Sequence, residues 1–159
     1  VSREAKGSRR AWLLAGALAV VVVALDQVAK AVVEANLVTG EQVEVVGPLE
    51  LTLSHNRGVA FGLASGGGAV LILFTVAALT LVGFLFARDP ARPWMWVAVG
   101  LLTGGALGNL ADRVTEGAVT DYVDFLAWPP FNLADVAIVA GVALLALLYA
   151  IQPQANASE

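Results

Sequence analysis

The chain has no cysteine, one histidine and one methionine, and only 14% of its 159 residues are charged. Each scarcity closes off a kind of chemistry. Without cysteine there is no disulfide framework, no thiol nucleophile and no thiolate-held metal. A lone histidine, His55, with no HExxH string around it, does not build a histidine-rich zinc site, so metal hydrolysis is set aside and no cofactor is expected. A GxSxG elbow is missing. His55 directly follows Ser54 in an extended run, where neighbouring side chains point to opposite faces, and no catalytic role is assigned to it. The net charge of -4 comes with no basic tract, so no nucleic-acid partner is expected.

What the chain has in excess is apolar surface. Apolar residues make up 58% of it and the mean hydropathy is +0.79, which is too greasy for a water-soluble domain of this length and places the chain in a membrane. The N-terminal stretch carries Arg3, Lys6, Arg9 and Arg10 and runs into an apolar segment from Ala11 to Leu25. No small-x-small cleavage site leading to a soluble domain follows, so this is a retained first membrane helix, extended through Asp26, Gln27 and Lys30 to about Val33. Asp26 and Lys30 stand i,i+4 on one helical face and are expected to pair, with a structural part.

Further spans are expected at about 69–87, 94–111 and 133–151, giving a mostly α membrane protein of four transmembrane helices in a single domain. The second is free of ionisable residues and reads as scaffold, about 28 Å long at 1.5 Å per residue. The third ends in a run of small residues from Thr103 to Gly108, suited to close helix packing. Between about residues 40 and 66 the pattern turns extended, with Leu49, Leu51 and Leu53 alternating and Gly47-Pro48 as a turn, so a small sheet cradle outside the membrane is expected. Ser65 to Gly68 reads as a hinge into the second span, and Gln152 to Glu159 as a short polar tail.

Arg3, Lys6, Arg9, Arg10, Arg88 and Arg92 are six of the nine basic residues, and they put the N-terminal segment and the short loop between spans two and three on the cytoplasmic side. Both termini are then cytoplasmic. The sheet and the polar stretch before the fourth span face outward. Asp26, Asn56, Asn109, Arg113, Asp121, Asn132 and Asp135 thereby fall at one depth on one side, although they come from separated segments. Ionisable groups near a bilayer are costly and are default candidates for function. Asp121, placed in a loop, and Asp135, in the first turn of the fourth helix, could share a proton and activate water. A proton-coupled carrier or another noncatalytic membrane protein uses the same residue types, so physics alone leaves both readings open.

Five strings in order narrow the choice: DQVAK from Asp26, NRGVAFG from Asn56, GGALGNLADRV from Gly104, VTDYVDF ending at Phe125, and FNLAD from Phe131. Together they resemble the motifs of the bacterial lipoprotein signal peptidases, the signal peptidase II family, over about Ala11 to Ile151. The resemblance implies a metal-independent aspartyl endopeptidase in the bacterial cell membrane. Its substrates would be diacylglyceryl-modified prolipoproteins, cut just before the lipid-bearing cysteine, with membrane lipids as surroundings and a monomer favoured. By motif position the catalytic pair is Asp121 and Asp135; Asn56, Asn109, Arg113 and Asn132 would line the site and support it. Asp124 is given a structural or rim role. The segment DFLAWPPF is shorter than the form associated with many relatives, which implies a differently shaped rim.

Overall fold

Four helices and four strands account for most of the computed structural model, which describes residues 3–58, 67–126 and 128–151. Helix α1 spans Arg3–Asn36, α2 Gly67–Arg88, α3 Met95–Thr115 and α4 Leu133–Ala150. Strands β1 (Gln42–Val46) and β2 (Leu49–Asn56) lie between α1 and α2, and β3 (Val119–Phe125) and β4 (Trp128–Phe131) between α3 and α4. Helix α3 is the centre of the bundle, with α1, α2 and α4 all packed on it.

The outside of the bundle is as apolar as its inside. Leu13, Val20, Leu73, Phe74, Val139 and Leu147 are all exposed. Only 6% of the apolar stretch of α2 is buried within the protein, so nearly all of that helix offers hydrocarbon to its surroundings. Among the described residues three helices, at Gly7–Asn36, Ala69–Arg88 and Leu133–Ala150, are long and apolar enough to cross a membrane. The sequence reading expected four. Helix α3 falls outside that set because glycines, Asn109, Asp112 and Arg113 dilute its apolar character.

Close helix approach depends on those glycines. A Cβ on Gly108 would stand 2.7 Å from Oδ2 of Asp26, which real side chains essentially never tolerate, so α1 can bring its carboxylate against α3 only where α3 has no side chain. One helical end is held by Arg92, whose guanidinium donates to the carbonyl of Leu148 and lies over the Tyr149 ring at 4.9 Å. A cluster of Ala11, Ala15, Phe86, Met95 and Val99 is buried in the bundle. A second cluster, Val33, Leu53 and Tyr122, packs the sheet onto α1.

The sheet departs most from the sequence reading. All strands are antiparallel in the order β1-β2-β3-β4, so the cradle is built from both long connections. Asp121 was expected in a loop and is in strand β3, opposite Ser54 of β2. The alternation Val119, Asp121, Val123 is a strand period, but it is short and rich in carboxylates. Its pairing with β2 supplies what local propensity does not. Helix ends also moved. The first helix runs beyond the expected 11–33 at both ends, and the third continues past residue 111 to Thr115, so Arg113 is helical. Ser65 and Gly66 of the expected hinge and Val59 to Gly62 of NRGVAFG lie outside the described residues, as does the polar tail, while Gly67 and Gly68 of the expected hinge already belong to α2.

Candidate active site

Asn132 is the residue on which the site turns. It precedes α4 as an extended N-cap, and its side-chain oxygen accepts from the backbone N–H of Asp135 at 2.9 Å. The Asp135 carboxylate returns the favour, with Oδ2 accepting from the Asn132 N–H at 3.3 Å, so the two form a reciprocal capping box. The other orphan donors of the first turn are also met. Leu133 N–H donates to the Tyr122 hydroxyl at 3.2 Å, Ala134 N–H to Oδ1 of Asp26 at 2.9 Å, and Val136 N–H to the Asn132 carbonyl at 3.3 Å. With each donor at the N-terminus partnered, α4 starts at a fixed place and points Asp135 in a fixed direction.

The nitrogen of the same Asn132 side chain, now pinned by its oxygen, donates to Oδ1 of Asp121 at 2.7 Å. One amide thus touches both aspartates. Asn56, at the end of β2, donates to the other oxygen of Asp121 at 3.0 Å, while its own oxygen accepts from Gly58 N–H at 2.9 Å. That tight turn needs the positive φ of 72° at Gly58, a conformation glycine adopts without cost. Asn109 of α3 donates to Oδ1 of Asp135 at 2.7 Å. Each carboxylate therefore receives two N–H donors, and no cation is bonded to either among the described residues.

Asp121 is 2% exposed. Burial pushes its carboxyl up to about 6, and the charge of Asp135 adds to the rise, against the amide bonds from Asn56 and Asn132 and the more distant Lys30. A carboxyl that keeps its proton up to this range can serve as an acid beside a second carboxylate.

Behind this pair lies a second polar cluster. Lys30 is ion-paired with Asp26 at 2.7 Å and with Asp112 at 2.6 Å, and all three are buried. Gln27 donates to Asp112 at 2.8 Å, and the Thr120 N–H reaches the other Asp112 oxygen at 3.3 Å. Thr120 also donates through its hydroxyl to Glu34 at 2.7 Å.

Of the residues singled out in the sequence, the fold brings Asn56, Asn109, Asn132, Asp121 and Asp135 into one network. The Arg113 guanidinium does not reach either carboxylate; it donates to the Asn109 carbonyl of its own helix at 3.2 Å. Asp124 is set apart, opposite Glu50 in the sheet and accepting from Gln42 at 3.4 Å. It borders a polar cavity of about 790 Å³ shared with Thr52, Ser54, His55 and Arg57. His55 is exposed at the end of β2, where its ligating atom and those of Glu34 and Glu116 lie within 4.8 Å of one another. Asp112, Gln27, Thr120 and Tyr122 were given no role from sequence. The available signal was charge bookkeeping inside a span, where a buried lysine with three donors has room for more than one carboxylate; the i,i+4 pairing with Asp26 had already satisfied that search.

An apolar groove of about 350 Å³ opens beside Asp135, lined by Trp128, Phe131, Val136, Val139, Ala140 and Ala143. It runs down α4 from the carboxylates toward the apolar middle of the helix.

The comparisons agree on one family. Residues 18–151 match the family model described as Signal peptidase (SPase) II. A lipoprotein signal peptidase of Pelotomaculum thermopropionicum is 46% identical over 129 residues, covering 79% of this chain and 84% of that protein. One of Paraburkholderia phymatum is 39% identical over 153 residues, covering 91% of this chain and 90% of the other. A bacterial membrane enzyme solved by the in meso method at 1.9 Å superposes with a TM-score of 0.82 at 33% identity, over 87% of this chain and 94% of that one. With the family model covering most of the chain and the fold shared at this identity, the chain belongs to the signal peptidase II family and is a peptidase.

Proposed function

We propose that the chain is an aspartyl endopeptidase that removes the signal peptide from diacylglyceryl-modified prolipoproteins, cutting immediately before the lipid-bearing cysteine, with Asp121 and Asp135 as its catalytic pair. The observation that carries this reading is the single Asn132 amide bonded to both aspartates at the mouth of an apolar groove. The relatives named above are lipoprotein signal peptidases, and the groove suits the apolar part of such a substrate.

The roles within the pair are unequal. Asp135 sits in the first turn of α4, where the helix dipole favours an anion by roughly 0.3 to 1 kcal/mol. Asp121 has no helix end, and its burial favours the proton. In the working state Asp135 takes a proton from the attacking water as its oxygen bonds to the scissile carbonyl carbon. Asp121 gives its proton to the carbonyl oxygen; as the C–N bond then breaks, the proton on Asp135 passes to the departing amine and a hydroxyl of the tetrahedral diol returns its proton to Asp121, leaving the carboxylic acid product and the starting pair.

Helix α3 serves as the fourth membrane crossing. Its 21 residues extend about 31 Å at 1.5 Å per residue, enough for the hydrocarbon layer. The other helices shield it, so its polar groups face protein rather than lipid. With basic residues at the N-terminus and in the α2–α3 loop, both termini are cytoplasmic and the sheet and carboxylates lie toward the outer face of the cell membrane. Asn56, Asn109 and Asn132 hold the pair, Asp26 and Lys30 brace the helices, and Arg113 steadies the end of α3.

Incubation of the purified protein with a diacylglyceryl-modified prolipoprotein tests the reading. Signal-peptide release is expected, insensitive to chelator and lost in both Asp121→Asn and Asp135→Asn. Cleavage by either variant, or equal cleavage of the unlipidated precursor, overturns it.

A further inference from the structure

Each of the three amides that touch the carboxylates could in principle present either its oxygen or its nitrogen. For two of them the choice is made by the main chain. The oxygen of Asn56 faces Gly58 N–H and that of Asn132 faces Asp135 N–H, and a backbone N–H only donates, so the amide nitrogens must point to the aspartates. Asn109 has no such backbone donor at its side-chain oxygen among the described residues. Its partner there is the ammonium of Lys30, at 3.2 Å.

An ammonium has three hydrogens and no acceptor. Lys30 has three acceptors around it, Oδ2 of Asp26, Oδ2 of Asp112 and Oδ1 of Asn109, so each hydrogen has one destination. The nitrogen of Asn132 also reaches the Asn109 oxygen, at 3.1 Å, but its two hydrogens are shared with Asp121 and the Thr120 carbonyl. Of the two donors at the Asn109 oxygen, Lys30 is the one whose hydrogen has no competing acceptor among the described residues. The two carboxylates on Lys30 hold its position, and Asp26 at the same time holds the first turn of α4 through Ala134 N–H.

We infer that Lys30 is a positioning residue of the peptidase reaction: by occupying the oxygen of the Asn109 amide it turns the amide N–H onto Asp135 and keeps that carboxylate the proton acceptor of the pair. The inference rests on the Asp121/Asp135 reading given above. Without the ammonium, the Asn109 oxygen keeps only the hydrogen that Asn132 divides among three acceptors, and the amide is less firmly held against turning that oxygen toward Asp135, an arrangement that suits a protonated carboxyl instead. The ionisable groups packed around Asp135 are Asp26 and Lys30 of α1, Asp112 and Arg113 of α3, and Asp121 and Tyr122 of β3. Any test has to remove the donor without changing the sum of those charges.

The double substitution Lys30→Met with Asp112→Asn does so, because it removes one positive and one negative charge. In kcat/KM against pH, measured with a diacylglyceryl-modified lipopeptide, the acid limb is expected to move up by about one pH unit, since the donor that favoured the anion no longer faces Asp135. An acid limb superimposable on that of the parent, with only the rate or the melting temperature lowered, makes Lys30 purely structural and overturns the inference. Asn109→Leu leaves all three members of the ion cluster in place and removes the amide. It is expected to move the same limb in the same direction, and if the double variant does not fold, an unmoved limb in Asn109→Leu overturns the inference by itself. Residual cleavage by Asp135→Asn in the same assay signals failure of the aspartyl pair, a result distinct from an unmoved limb in an enzyme that needs both aspartates.

Discussion

Four buried or partly buried aspartates meet where α1, α3, α4 and β3 converge, and they divide into two pairs with opposite surroundings. Asp26 and Asp112 share a buried ammonium. Asp121 and Asp135 have amides and backbone N–H groups but no bonded cation among the described residues. A carboxylate against an ammonium is held in one charge state, because the buried cation would be left unpaired if the acid took up a proton. A carboxylate that receives neutral donors keeps access to both states. On the proposed function the same side chain is a brace in one pair and a proton carrier in the other, and the distinction lies in which donor faces it.

The largest effect is expected from breaking the proton-carrying pair. Asp121→Asn and Asp135→Asn should each lower kcat/KM by on the order of 10³-fold or more, with the melting temperature in detergent little changed. Asp121→Asn imitates a protonated acid and should bind an uncleaved lipopeptide more tightly than Asp135→Asn. The reverse order in a binding titration would exchange the two roles.

Breaking the brace should show in stability before chemistry. Lys30→Gln leaves Asp26 and Asp112 facing each other without a cation and should cost about 3–5 kcal/mol. Asp26→Asn leaves Lys30 paired with Asp112, so its loss should be smaller, about 1–2 kcal/mol. Because the cluster has three members, a cycle over Asp26 and Lys30 alone should be non-additive, and additive losses in thermal melts would mean that the cluster does not act as a unit.

A subtler change tunes the proton carriers without removing them. If Asp121 must hold its proton, kcat/KM should fall as pH rises through about 6. The bond from Asn56 favours the anion, so Asn56→Ala should push the carboxyl further up and move this base limb to higher pH, leaving the acid limb in place. A base limb displaced downward would contradict the direction assigned to that bond.

The smallest effect belongs to Arg113. The motif position of Arg113 implies a side chain that lines the site, and a planar guanidinium holding acceptors there would make Arg113→Lys cut activity strongly. Among the described residues it makes one bond, to a carbonyl of its own helix. The loss for Arg113→Lys should then stay within about tenfold, because a single carbonyl does not require a bidentate fork. A loss as large as that of Asp121→Asn, in an enzyme with unchanged melting temperature, would give Arg113 a direct part in binding substrate.

The apolar runs, the i,i+4 spacing of Asp26 and Lys30, the small residues before Gly108 and the place of Asp135 in the first turn of a helix are all local patterns, and local patterns are legible in a sequence because helices repeat over a few residues. The spans, the membrane setting and the candidate dyad followed from them and from motif order. What stayed hidden depends on contacts between segments far apart in the chain. The strand at Asp121 exists because β2, from a distant part of the chain, pairs with it and sets Ser54 opposite Asp121. The third carboxylate of the buried cluster, Asp112, reaches Lys30 only because α3 packs on α1 with a glycine at the crossing. Helix ends, strand partners and the direction in which each amide faces are settled by tertiary packing, because buried donors and acceptors must all be partnered at once and no short window of sequence contains both halves of those pairs.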